Sequence, residues 1–170
     1  MTVLTTEVSV VQNPALGAAL LWRFASAFPE PAKRYAPVHL MFLPLPILFR
    51  QEYVDVVTGI GAATGVRRAS GLRAFADALR EFKNAKTDLL LSLHDSVLAL
   101  RELSLHSLSL ATAARLLTID SEGRVLPIPH DDPKGAPDRV RRLLRGADKL
   151  GYWCGAVTQF EIAATLHLRF

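Results

Sequence analysis

The sequence predicts a mainly α protein with one small β-hairpin. Three observations carry this. Apolar residues recur at helical spacing through most of the chain, as at Leu16, Leu20 and Phe24 or at Leu72, Phe75, Ala76 and Leu79. Leu105, Leu108, Ala111, Thr112 and Leu116 continue that period, so residues 101–116 read as an amphipathic helix. Directly after them come Leu117-Thr118-Ile119-Asp120, a turn at Ser121-Glu122-Gly123, and Arg124-Val125-Leu126, two β-prone runs that read as a hairpin. A helix ending in such a hairpin is winged-helix-like, and that shape usually reads DNA. Yet Arg115 is the only cation between Leu103 and Thr118, whereas a DNA-reading helix needs donors for base edges and cations for phosphates. The shape suggests a nucleic-acid reader and the chemistry a protein-contact surface.

Taken in order, Thr2–Val11 alternates weakly and reads as a short strand or extended arm. Asn13-Pro14 is a helix start, because Asn caps and Pro at the first helical position loses no hydrogen bond. The helix it opens, to about Phe28, has Leu16, Leu20 and Phe24 on one face, with Leu21, Trp22 and Phe28 extending the apolar surface around it. Arg23 is its only charge, so it is expected to be buried on nearly all sides. Pro29–Pro37 reads as a loop, and Val38–Val57 as helix kinked or restarted at Pro44 and Pro46. A Gly/Ala loop at Gly59–Gly65 precedes a helix capped by Ser70 and running through Phe82. Thr87-Asp88 starts the next, with Leu89, Leu90, Leu93, Val97 and Leu100 as its core stripe, and a turn or kink near Arg101–Ser104 leads into the helix that precedes the hairpin. Pro127–Pro137 reads as a flexible surface loop, Asp138–Val157 as a long helix with Gly151 as its weak point. Thr158-Gln159-Phe160-Glu161 is a capping box for a last helix to about Leu166, and Leu168-Arg169-Phe170 is expected to lie as a strand beside the hairpin. The expected organisation is one domain over residues 1–170: a helical core at about 12–117, the hairpin at 117–127, the flexible loop at 128–137 and C-terminal helices at 138–170.

Composition narrows the functional classes. The 170 residues are 50% apolar and 21% charged, and the mean hydropathy is positive at +0.22, which suggests extra buried surface such as an obligate interface. A net charge of +4 permits contact with nucleic acid without demanding it. The single cysteine, Cys154, excludes an intramolecular disulfide and a Cys-rich zinc site. No Lys or Arg occurs in the first dozen residues, and the apolar runs Ala15–Trp22 and Val38–Phe49 fall short of the ~20 residues of a spanning helix. The expectation is a soluble, cytoplasmic protein without a membrane contact.

Motifs for catalysis do not appear. Gly-x-Ser-x-Gly, the phosphate-cradling Gly-x-x-x-x-Gly-Lys and Gly-x-Gly-x-x-Gly are all missing, and Gly59-Ile60-Gly61 lacks a preceding strand. Of His39, His94, His106, His130 and His167, the pair His94 and His106 has no carboxylate or cysteine at i+3 or i+4, and His130-Asp131-Asp132, a weak cation site at most, reads better as a solvated acidic turn. Cys154 sits among apolar residues in Gly-Tyr-Trp-Cys-Gly and reads as buried and inert. No enzyme activity, cofactor or metal is expected. The basic feature is Arg139, Arg141, Arg142, Arg145 and Lys149. Arg141, Arg145 and Lys149 repeat at i+4 with Arg142 beside them, which makes Arg141, Arg142, Arg145 and Lys149 the DNA-contact candidates. Arg67, Arg68 and Arg73 form a smaller cluster. Leu16, Trp22, Phe24 and Trp153 are the partner-interface candidates: the first three lie on a helix with a single charge, and Trp153 is an aromatic of the kind enriched at interfaces.

Several blocks together resemble one family. Asn13-Pro14-Ala15-Leu16-Gly17 leading to Leu21-Trp22 and Phe24, Leu43-Pro44-Leu45-Pro46-Ile47-Leu48-Phe49-Arg50, Arg101-Glu102-Leu103-Ser104-Leu105, Leu116-Leu117-Thr118-Ile119-Asp120, and Lys149-Leu150-Gly151 with Trp153 are similar, in order, to blocks of the middle component of bacterial three-component ABC ATPase systems. The resemblance implies a small helical adaptor without catalytic residues. Its implied partners are an SMC/Rad50-like ATPase and an effector subunit, with Lamassu-type anti-phage or anti-plasmid defence as the setting and DNA contact possible through the complex. The other class open to the sequence is a stand-alone winged-helix DNA-binding regulator, supported by the hairpin and the basic stripe.

Overall fold

The structure, a computed structural model, describes residues 13–61, 71–82 and 88–169. Its elements are α1 (Pro14–Ala27), α2 (Pro29–Ala32), β1 (Ala36–Pro37), a 3-10 helix (Val38–Phe42), α3 (Pro44–Leu48), α4 (Gln51–Gly59), α5 (Gly71–Glu81), α6 (Ser92–Ala99), α7 (Arg101–Ala113), β2 (Leu117–Ile119), β3 (Arg124–Pro127), α8 (Asp138–Gly155) and α9 (Gln159–Leu166). The protein is mainly helical with one small antiparallel sheet. The expected arm at Thr2–Val11, the Ser70 cap, Thr87, and Arg67 and Arg68 lie outside the described residues.

Helix α1 begins as its sequence dictates: Ala15 N–H donates to Asn13 Oδ1 at 2.8 Å and Pro14 occupies the first turn. Leu20, Leu21, Phe24, Ala25 and the following Phe28 are fully buried, and the helix packs chiefly against α7 and α8. α8 does not break at Gly151. Gly151 and Gly155, one turn apart, lie against the carbonyl oxygens of Phe24 and Phe28, where an added Cβ would overlap them. Glycine in a helix interior costs about 1 kcal/mol relative to alanine, and here it lets two helices approach backbone to side.

The prolines restart helices rather than kink them. Pro44 and Pro46 both fall in the first turn of α3, where backbone N–H groups have no intrahelical acceptor to lose. Leu72, Phe75, Ala76 and Leu79 are buried on α5 as expected. α6 starts at Ser92, later than expected, because Asp88 Oδ1 accepts from Leu90 and Leu91 N–H and holds a separate turn. At the far end, Thr158 and Glu161 form the expected capping box of α9.

Two expectations are corrected. The buried face of α7 is Ser104, Ser107, Leu108 and Ala111, while Leu105 and Thr112 face outward, because the bare Gly17 backbone on α1 offers a slot that Ser107 enters. The third strand is β1; Leu168 and Arg169 are in no strand, and Phe170 lies outside the described residues. The sheet order is β1-β3-β2, with Ala36 opposite Val125 and Pro37 opposite Arg124. Pro37 has no N–H to offer a neighbour, which suits an edge strand. Leu168 instead follows a left-handed cap at His167 and tucks into the core. The hairpin is as expected: Asp120 Oδ1 accepts from Glu122 and Arg124 N–H, and Gly123 takes the positive φ of +71° that closes the turn. Among the described residues no helix is long and apolar enough to cross a membrane.

Candidate docking surfaces

Three of the four apolar candidates lie in the core. Phe24 is fully buried, and Trp153 stacks 6.4 Å from Phe75 at 1% exposure. Trp22, 5% exposed, donates from its indole N–H to the Ile128 carbonyl at 2.9 Å and meets the His130 ring edge-on. Their apolar area is covered by this chain itself. Trp22 thereby ties down the 128–137 segment, which Arg23 also holds through Asp132 at 3.1 Å and His130 through the Arg115 carbonyl at 3.1 Å.

Leu16 is different, because it reaches the surface. With Leu48, Phe49, Val54, Val140 and Leu143 it floors a groove of about 160 Å³ between the starts of α1, α4 and α8. Gln51, Arg139 and Arg142 form its rim. Gln51 and Arg142 both bond Asp55, at 2.7 and 2.6 Å, so that edge is neutralised within the chain. Arg139 is exposed and makes no ion pair among the described residues.

A second surface is aliphatic. Leu91 and Leu98, seven residues apart and on the side of α6 away from buried Leu93, are 61% and 59% exposed. Leu105 and Leu110 on α7 are also exposed. The sequence carried a usable signal here, since Leu91 and Leu98 fall outside the expected stripe of Leu89, Leu90, Leu93, Val97 and Leu100, of which the first three are buried and the last two half-buried.

The basic residues of α8 divide. Lys149 donates to the carbonyls of Val57, Thr58 and Ile60 at 3.4, 3.1 and 2.6 Å, closing the C-terminal end of α4. Burial first, and the Arg145 charge second, lower its pKa. Arg142 is held by Asp55 and by Thr58 Oγ1. Arg141 pairs with Asp138 but stays exposed, and Arg145 is exposed on the same side, beside Asp132 and Asp148 in a shallow charged cleft. Arg73 lies 3.7 Å from Glu161. The i+4 repeat of Arg141, Arg145 and Lys149 is therefore a helical face whose last member is turned into the protein.

Cys154 is fully buried, and loss of solvent pushes its thiol pKa up to about 12. Burial lowers the pKa of His39 against a hydrogen bond with Gln159. Among the described residues no group of three or more His, Cys, Asp or Glu is placed to hold a metal ion.

Among the described residues, fold and surfaces define a mainly helical protein whose prominent exposed features are apolar and cationic faces. A family model matches the whole chain, and it is specific: residues 1–170 belong to the MC3 family, ABC-three component (ABC-3C) system Middle Component 3. No curated protein and no solved structure matches. A middle component of a multi-component ABC system acts with partner proteins.

Proposed function

We propose that this chain is a cytoplasmic, non-catalytic adaptor that links an SMC/Rad50-like ABC ATPase to an effector subunit in a DNA-sensing anti-phage or anti-plasmid complex. The observation that supports it most is the exposed leucine surface of α6 and α7. Leu91, Leu98, Leu105 and Leu110 are exposed on or beside two consecutive helices, and exposed apolar patches on soluble proteins commonly mark binding sites. α7 adds to this by its orientation, with two serines inward and Leu105 and Leu110 outward. Co-expression with the other two components tests the reading. Leu91→Gln with Leu98→Gln is expected to abolish co-purification while the melting temperature stays unchanged, since both side chains already face solvent. Undiminished co-purification overturns the assignment of this surface.

Direct DNA contact is a second reading, supported by the exposed guanidinium groups of Arg139, Arg141 and Arg145. Asp132, Asp138 and Asp148 lie among them and reduce the local field. Replacing Arg141 and Arg145 by Glu is expected to weaken duplex binding of the assembled complex and flatten its salt dependence, without dissociating the subunits. A stable isolated monomer that binds a specific duplex with steep salt dependence favours the stand-alone regulator instead.

A further inference from the structure

The groove floored by Leu16, Phe49 and Val140 has a size and a charge that select its occupant. At about 160 Å³ it is below the ~300–1,000 Å³ of small-molecule and cofactor sites, so it suits an apolar side chain or two of a polypeptide. Its floor is aliphatic and aromatic, which gives a nucleic-acid backbone nothing to bond. Its rim is asymmetric: Arg142 is neutralised by Asp55, whereas Arg139 is exposed and makes no ion pair among the described residues.

We infer that this groove receives a segment of another component of the same system that seats an apolar side chain on Leu16 and Val140 and sets a carboxylate against Arg139. The inference rests on the adaptor reading and adds a second contact, on the side of α1 and α8, to the leucine surface of α6 and α7. Apolar burial supplies affinity. The exposed ion pair supplies selection, because a rim charge of the right sign adds little energy whereas like charges placed together weaken binding about tenfold or more. A lysine-rich segment is thereby rejected.

The test uses the three co-expressed components with a photo-crosslinking residue at Gln51, on the exposed rim. The expected crosslink joins Gln51's position to another component at an apolar residue with an Asp or Glu within one helical turn of it. Arg139→Glu is expected to weaken co-purification at least about tenfold, and a Lys at the mapped carboxylate to restore it. Arg139 makes no ion pair with the described residues, so the variant folds, as an unchanged melting temperature verifies. A crosslink to a second copy of this chain, to nucleic acid or to a segment without acids overturns the inference, as does no crosslink from an assembled complex. Failure of the components to co-purify at all overturns the adaptor reading itself.

Discussion

At the scale of single residues, the hydroxyls of Ser104 and Ser107 are buried to 1% and 0% exposure without a hydrogen-bond partner among the described residues. Thr112, on the same helix, does bond back to the Leu108 carbonyl at 2.8 Å. An unmet buried hydroxyl costs about 1–3 kcal/mol, so Ser107→Ala is expected to stabilise the fold by about 1 kcal/mol, read as a higher urea midpoint at constant slope. Gly17→Ala is expected to do the reverse, because its Cβ overlaps Ser107 Oγ. Cys154 gives a pH prediction. Its folded pKa, raised to about 12, lies above the unfolded value near 9.0, so the folded state favours the protonated thiol. The stability from this group is whole below pH ~9 and is lost as pH rises towards ~12. At pH 8 a thiol reagent should modify Cys154 only at the rate of unfolding. Rapid modification of the native protein contradicts the buried site. The inert cysteine was legible from its apolar neighbours, whereas the inward serines were not, since the slot they enter belongs to another helix.

Among the elements, α8 shows where periodicity stops being informative. The repeat of Arg141, Arg145 and Lys149 placed three cations on one face, but a period cannot say which end of that face is covered, and Lys149 meets the carbonyl end of α4. Lys149→Glu is therefore expected to cost about 2 kcal/mol or more, by removing the charge-assisted bonds and setting a negative group against unpaired carbonyls. Arg141→Glu and Arg145→Glu, both exposed, should each change stability by under about 1 kcal/mol. Equal losses at all three positions would contradict this division of the helix. Most helices were readable because caps and apolar stripes are local: Asn13, Thr158 with Glu161, and the Leu72–Leu79 stripe all appear as written. β1 was not, because two residues before a 3-10 helix become a strand only when β3 lies alongside them.

For the whole molecule, an excess of apolar composition does not by itself say where the surplus lies. The core absorbs the residues that sequence reasoning placed at an interface, Trp22, Phe24 and Trp153, since a large apolar side chain reads alike whether its own chain or another covers it. Among the described residues, what remains outside includes Leu16's groove and the leucines at α6 and α7, with Tyr35, Ile119 and Phe160 also exposed. A chain that keeps such surfaces for other subunits should, alone, turn them towards copies of itself. Sedimentation of the isolated protein is expected to show self-association that grows with concentration and survives high salt, because apolar contact is not screened as charge pairs are. Leu91→Gln with Leu98→Gln leaves the net charge at +4 and should return the protein to a monomer. Salt-sensitive association would assign the contact to the arginines of α8 instead, and a monomer at every concentration would mean that the exposed leucines are too dispersed to bind a copy of the chain.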